Sequence, residues 1–223
     1  LALSASFFSG NHADMAIFKR KKDNQGLVLE FQSSLENSIF SVQTGLLTES
    51  SGLLGSSFEG GFGSLQESLT YFSGINALVS WKKINASGSL FVGQTKPKLN
   101  EKGIISGFED LSSSSFNFTL FAKELFNKED SIGLRISQPL RLENGGVYFS
   151  IPVGRKPNKE IIFENYSSDL NPSGRQVNLE FIYRMSSKYG SFYSRLGVTK
   201  DEGHFKRQGF ESFFETIFEV PLN

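Results

Sequence analysis

Gln176-Val177-Asn178-Leu179-Glu180-Phe181-Ile182-Tyr183-Arg184-Met185 is the stretch on which the fold reading turns. Val177, Leu179, Phe181, Tyr183 and Met185 take alternate places, and Asn178, Glu180, Ile182 and Arg184 fill the places between them. Side chains along a strand point to opposite faces in turn, so this is a β-strand with one apolar side and one side bearing ionised groups. The pattern recurs upstream. Between Ser131 and Leu142, Ile132, Leu134, Ile136, Leu140 and Leu142 oppose Ser131, Arg135, Ser137 and Arg141. From Ser115 to Lys123, Phe116, Phe118 and Leu120 oppose Asn117 and Thr119. One such strand also suits a soluble sandwich. A succession of them, in a chain with no helical period, predicts an all-β, up-and-down antiparallel barrel of about 12 strands. On pattern alone, its apolar face can meet either a core or a lipid.

Composition narrows the class. The 223 residues suffice for one large all-β domain, and no linker divides residues 1–223. Basic and acidic side chains balance at 23 each, so the basic field that nucleic acid requires is missing. Without Cys there are no disulfides, thiolate metal sites or cysteine nucleophiles. Apolar residues make up 38%, with 23 Phe against a single Trp, and aromatics favour both strands and membrane interfaces. No apolar run approaches the roughly 18 residues of a membrane helix, but barrel strands of about 9–11 residues need none. The chain begins on Leu1 rather than Met, as a processed product or excised domain would. Leu1–Phe8 lacks the basic start and apolar length of a signal peptide.

Strands are expected at Ala13–Arg20, Gly26–Ser33, Ile39–Thr48, Ser68–Trp81, Ala86–Gln94, Ser115–Phe126, Asp130–Leu142, Val147–Val153, Arg175–Met185, Gly190–Thr199 and Phe210–Val220. Leu1–Phe8 adds one more. Asn144-Gly145-Gly146 reads as a hairpin turn, since Asn and Gly tolerate positive φ. Glu49–Ser64, Lys96–Ser114 and Gly154–Gly174 read as long loops, rich in Gly, Ser and Pro. Short turns alternating with long loops suit an outer-membrane barrel, although jelly rolls and lipocalin-like barrels are uneven too.

Glu30, Arg135, Glu180, Arg184, Arg195 and Glu215 fall on the polar faces of these strands. Mixed signs suit an occluded, ion-paired interior better than a selective pore, and a solvated sheet face is the competing reading. Arg175, in Pro172-Ser173-Gly174-Arg175, is expected either to pair with Glu180, Glu143 or Asp169 and fix its loop, or to stand in water beside a capped turn. The polar or structural network is therefore Glu30, Arg135, Arg175, Glu180, Arg184 and Arg195.

Further motifs carry a resemblance. Ser137-Gln138-Pro139-Leu140-Arg141-Leu142, Ile151-Pro152-Val153-Gly154, Asn171–Glu180 and Asp201-Glu202-Gly203-His204 occur in that order. Gly45-Leu46-Leu47-Thr48-Glu49 and Leu54-Gly55-Ser56 precede them. The series resembles the autotransporter-like C-terminal β-domain of subtilisin-like serine proteases from alphaproteobacteria, over about residues 40 to 205. The resemblance implies an outer-membrane β-barrel that anchors or translocates an N-terminal protease passenger. It implies a lipid bilayer and a covalently linked protease as partners, and the outer membrane of a Gram-negative bacterium as location. Such barrels commonly finish on an aromatic strand residue, whereas Phe218 here lies five positions inside and Pro221 stops the ladder.

Catalysis is not expected. His12 and His204 are the two imidazoles, and neither subtilisin-like signatures nor a G-x-S-x-G elbow surrounds a serine. His204 reads as a turn residue rather than a base or metal ligand. His12 and Asp14 could share a strand face, but no third ligand is in view. Gly60-Gly61-Phe62-Gly63 lacks the helix and Lys of a phosphate cradle. Lys19-Arg20-Lys21-Lys22 reads as a solvated turn or a headgroup anchor. No cofactor is expected. A soluble barrel or sandwich acting as an accessory domain of a secreted protease, or a small-ligand-binding barrel, stands as the alternative.

Overall fold

A computed structural model describes residues 1–12, 22–56 and 60–220. These form thirteen strands and no α-helix: β1 (Ala2–His12), β2 (Lys22–Leu35), β3 (Ser38–Ser50), β4 (Gly63–Trp81), β5 (Ile84–Lys102), β6 (Ile105–Phe108), β7 (Leu111–Lys123), β8 (Asp130–Asn144), β9 (Gly146–Arg155), β10 (Ile161–Asp169), β11 (Val177–Ser187), β12 (Gly190–Lys200) and β13 (Phe210–Glu219). The all-β, antiparallel expectation is met. The expected single set of about 12 strands is instead a ten-stranded sheet, β1-β2-β3-β4-β5-β7-β8-β11-β12-β13, and a three-stranded sheet, β10-β9-β6. The strand expected at Ala13–Arg20 lies outside the described residues, as do Asp14 and most of the basic Lys19–Lys22 patch.

The two ends of the large sheet differ. At one end the strands turn tightly at Glu36-Asn37, Lys82-Lys83 and Lys188-Tyr189, with a slightly longer turn at residues 124–129. Asp130 closes that longer turn. Its carboxylate accepts the Leu125, Phe126 and Asn127 backbone N–H groups at 2.8, 2.9 and 3.1 Å. The other end carries the long connections. There Glu49, buried, accepts the Leu54 and Gly55 N–H groups at 2.9 and 2.8 Å and so fixes the turn after β3. A buried carboxylate is tolerated only when such donors replace its water.

Two sequence expectations fail at this long-loop end. Asn144-Gly145-Gly146 is not a hairpin: β8 and β9 do not pair, and the chain runs through Gly145 (φ 148°) from the large sheet into the small one. Lys96–Ser114 and Gly154–Gly174 are largely strand. β5 continues to Lys102, the chain reverses at Gly103-Ile104 into β6, and β10 occupies Ile161–Asp169. Pro97 lies beyond the last β5–β7 pair, Thr95 with Leu111, where β5 has β4 alone as its partner, an edge position that suits a residue with no N–H.

Register aligns apolar side chains in rows across the large sheet. Leu120, Leu134, Phe181, Leu196 and Phe214 form one row. Phe31, Val42, Ile75 and Leu90 form another. These side chains are the exposed ones: Leu134 is 48% accessible, Phe181 45% and Val42 54%. The opposite, polar face is the shielded one, with Glu180 at 6%, Ser137 at 7% and Thr119 at 8%. Among the described residues the buried large apolar side chains are Leu65, Leu111, Val147 and Ile182. Burial is inverted with respect to a water-soluble protein.

Candidate functional site

The polar face is built on glycines. Gly26, Gly45, Gly74, Gly133 and Gly197 stand directly opposite Phe8, Phe72, Phe91, Phe121 and Phe213 on the neighbouring strand. In each pair the ring lies over the glycine, and a Cβ there would meet ring carbon at 2.1 to 2.6 Å. Glycine inside a strand leaves backbone uncovered, and the opposing ring restores the cover.

Between these pairs run the polar contacts. On the β1–β5 side they are hydrogen bonds among hydroxyls, amides and single carboxylates. Asn76 Nδ2 donates to Ser41 Oγ at 3.1 Å, and the Thr70 and Thr95 hydroxyls meet at 2.9 Å. Glu30 is bonded by Gln43 and Ser41. On the β7–β13 side they are ionic. Arg195 bridges Glu180 on β11 at 3.4 Å and Glu215 on β13 at 3.0 Å, with its guanidinium 4.8 Å over the Phe213 ring. Arg135 Nε donates to Asn117 Oδ1 at 3.2 Å. Arg184 lies between the Phe121 and Tyr193 rings, at 5.5 and 5.4 Å, and no carboxylate meets it among the described residues.

A second cluster closes the long-loop end. Asp201, Gly203 and His204 all have positive φ, which folds residues 201–207 into a tight knot after β12. Gly174 presses on it so closely that a Cβ would lie 2.6 Å from the Lys206 nitrogen. The Asp201 carboxylate accepts N–H groups from Arg175 at 3.3 Å and Arg207 at 3.1 Å. Gly203 N–H donates to Gln176 Oε1 at 2.8 Å, Gly174 N–H to the His204 carbonyl at 2.8 Å, and Lys206 N–H to Ser173 Oγ at 3.1 Å. His204 is buried and joins three segments. Its Nδ1 accepts from Gln176 N–H at 3.0 Å, and its Nε2 meets the Leu140 carbonyl of β8 at 3.0 Å. Arg141 donates to the Gly174 and Pro172 carbonyls, both at 3.0 Å, and pairs with Glu143. Arg175 pairs with the same Glu143 at 2.7 Å and bonds Gln138.

The six network residues therefore separate. Glu180 and Arg195 meet. Arg135 and Arg184 share their face without joining the ion pair, and Glu30 sits apart on β2. Arg175 precedes β11 and belongs to the loop cluster; of Glu180, Glu143 and Asp169, its partner is Glu143. Sequence reasoning missed Gln138, Arg141, Gln176 and Asp201 as members of that cluster. The signal was there in part: Pro172–Arg175 and Asp201–His204 were both conspicuous motifs, and the fold brings them into contact. No group of three His, Cys, Asp or Glu side chains is placed to hold a metal among the described residues, and none of their helices is long and apolar enough to cross a membrane. No protein-family model, curated protein or solved structure matches the chain.

Proposed function

We propose that this chain is an outer-membrane β-barrel that anchors or translocates an N-terminal subtilisin-like protease passenger. The inversion of burial carries the reading. A sheet whose apolar rows are half exposed, and whose charges and hydroxyls are shielded, lacks a dry core sufficient for stability in water. Lipid against the apolar face supplies the missing burial. All ten strands of the large sheet have 10 or more residues, enough for the roughly 9–11 that cross a bilayer at a tilt. Glycines on the polar face favour curvature towards that side. The even count of ten makes β1 and β13 antiparallel, as closing the wall requires. Trp81 and Tyr189, both well exposed, stand beside Lys82 and Lys188 at the tight-turn end, the composition of an interfacial belt.

The direction of the chain bears on the passenger. Antiparallel order puts Ala2 of β1 and Glu219 of β13 at the tight-turn end. A passenger joined ahead of β1 starts on that side, and display at the long-loop side requires passage across the membrane. In this reading the lumen wall is hydrogen-bonded along β1–β5 and ion-paired along β11–β13, which holds the wall together rather than selecting an ion. The series of motifs resembling the protease-linked β-domain supports the choice of passenger.

The test has two parts. The chain refolded in detergent should migrate faster on a gel before boiling than after, and should stay with liposomes on flotation. A monodisperse protein in plain buffer that ignores lipid would sink the membrane reading and favour the soluble accessory domain. An epitope tag fused ahead of Leu1 should become accessible on intact Gram-negative cells. A tag that stays shielded while the barrel is in the membrane would remove translocation and leave an anchor.

A further inference from the structure

The His204 cluster has a property that the barrel reading does not use. Its imidazole faces a backbone donor, Gln176 N–H, and a backbone acceptor, the Leu140 carbonyl. One ring nitrogen must therefore be bare and the other must carry a proton, whichever way the ring is turned. A second proton has nowhere to go except against the Gln176 N–H.

We propose that His204 is a pH-operated latch, whose neutral ring pins residues 172–176 and 201–207 to the end of β8 and whose protonation at Nδ1 releases them. The charged surroundings point the same way. Arg141 from β8 and Arg175 from the incoming loop bring two guanidiniums to the site, and Lys200, Lys206 and Arg207 flank the knot. Glu143, shared by both guanidiniums and by the Ser114 hydroxyl, is the facing carboxylate from β8. Burial and then the two guanidiniums hold the imidazole below its usual range, against the Leu140 carbonyl and Glu143. With the folded-state value depressed, stability from the latch is complete above about pH 6.5, the unfolded value, and is lost as pH falls below it.

Two other acids of the knot titrate differently. The Arg207 N–H, ahead of its other donors, keeps the Asp201 carboxyl below its ordinary value, so it stays ionised down to pH 5. Glu202 is pushed up by its contact with Glu211, and could respond to acid by itself. The experiment must separate it from His204.

The full chain, held folded in detergent or buffer, is followed by hydrogen exchange over residues 170–176 and 200–209 at pH 7.5 and 5.0, corrected for intrinsic rates. At least a tenfold loss of protection at pH 5.0 is expected there, with the β11–β12 strand centres unchanged. His204→Gln, whose amide offers an acceptor and a donor without titrating, should show the same protection at both pH values. If that variant opens with acid like the parent, Glu202 drives the change and the latch is wrong. The unsubstituted ring provides a check that needs no His204 variant to fold. With His12→Asn, the remaining imidazole should titrate below the ordinary histidine range, and a value at or above about 6.5 overturns the proposal. Because the latch lies in the loops, its failure leaves the lipid and gel-mobility results untouched.

Discussion

The two flanks of the polar face solve one packing problem with different chemistry. Both lay Phe rings over opposing glycines. Between the rings, β1–β5 places hydroxyls and amides, Thr70 on Thr95 and Asn76 on Ser41, while β11–β13 places an ion pair and its second carboxylate, Glu180, Arg195 and Glu215. The hydroxyl and amide contacts of β1–β5 close one hydrogen bond at a time, across adjacent strands. The charged flank ties three strands through one guanidinium. Shielded from water, a charge makes its neighbours interdependent, whereas a hydroxyl leaves them separate.

The comparison breaks most sharply at Glu180. Glu180→Ala leaves Arg195 with Glu215 as its one carboxylate, and we expect a loss of about 3 kcal/mol in urea unfolding at constant slope. If Glu180→Ala costs no more than Thr70→Val, the interdependence is absent. Next in size is Gly133→Val, whose Cβ meets the Phe121 ring at 2.3 Å and should cost about 2 kcal/mol. Adding Phe121→Ala should recover part of that loss, because the clash partner is gone; no recovery would place the strain elsewhere. Thr70→Val strands the fully buried Thr95 hydroxyl, at a cost of about 1 kcal/mol, and Thr70→Val with Thr95→Val should come back towards the parent. Smallest is Lys98→Ala. Its bond to Glu67, at 3.5 Å between exposed side chains, should be worth less than about 0.5 kcal/mol and vanish in salt.

Legibility in the sequence followed the alternation. β7, β8 and β11 have one face of Leu, Ile and Phe and one of Asn, Ser, Glu and Arg, and each was expected at nearly its observed position. β10 was not, because all nine of its residues are exposed and no burial pattern marks them. The serines from Ser112 to Ser114 read as loop, yet they pair along β5, where the Ser113 hydroxyl lies over Gly93. Of the site, the charges on β8, β11 and β12 were visible as strand positions. The loop cluster was not, since it joins Leu140, Gln176 and His204 across more than 60 residues, and no local period encodes a contact of that range. The glycines that accept Phe rings were equally silent, since register alone decides which ring each one meets.

The junction between the two sheets has a mechanical consequence. β6 leads into β7 and β8 into β9, so the β6–β9 ladder carries the β7–β8 ladder on past the buried Leu111 into the small sheet. β5 ends at Lys102, so beyond it the extension consists of β6 and β9, with β10 paired on the far side of β9. The β9–β10 hairpin is therefore fastened to the large sheet through two paired strands instead of one. A fluorophore fixed near Pro157, at the hairpin's tip, would tumble with the whole body, and its anisotropy decay would read the size of the particle that carries it.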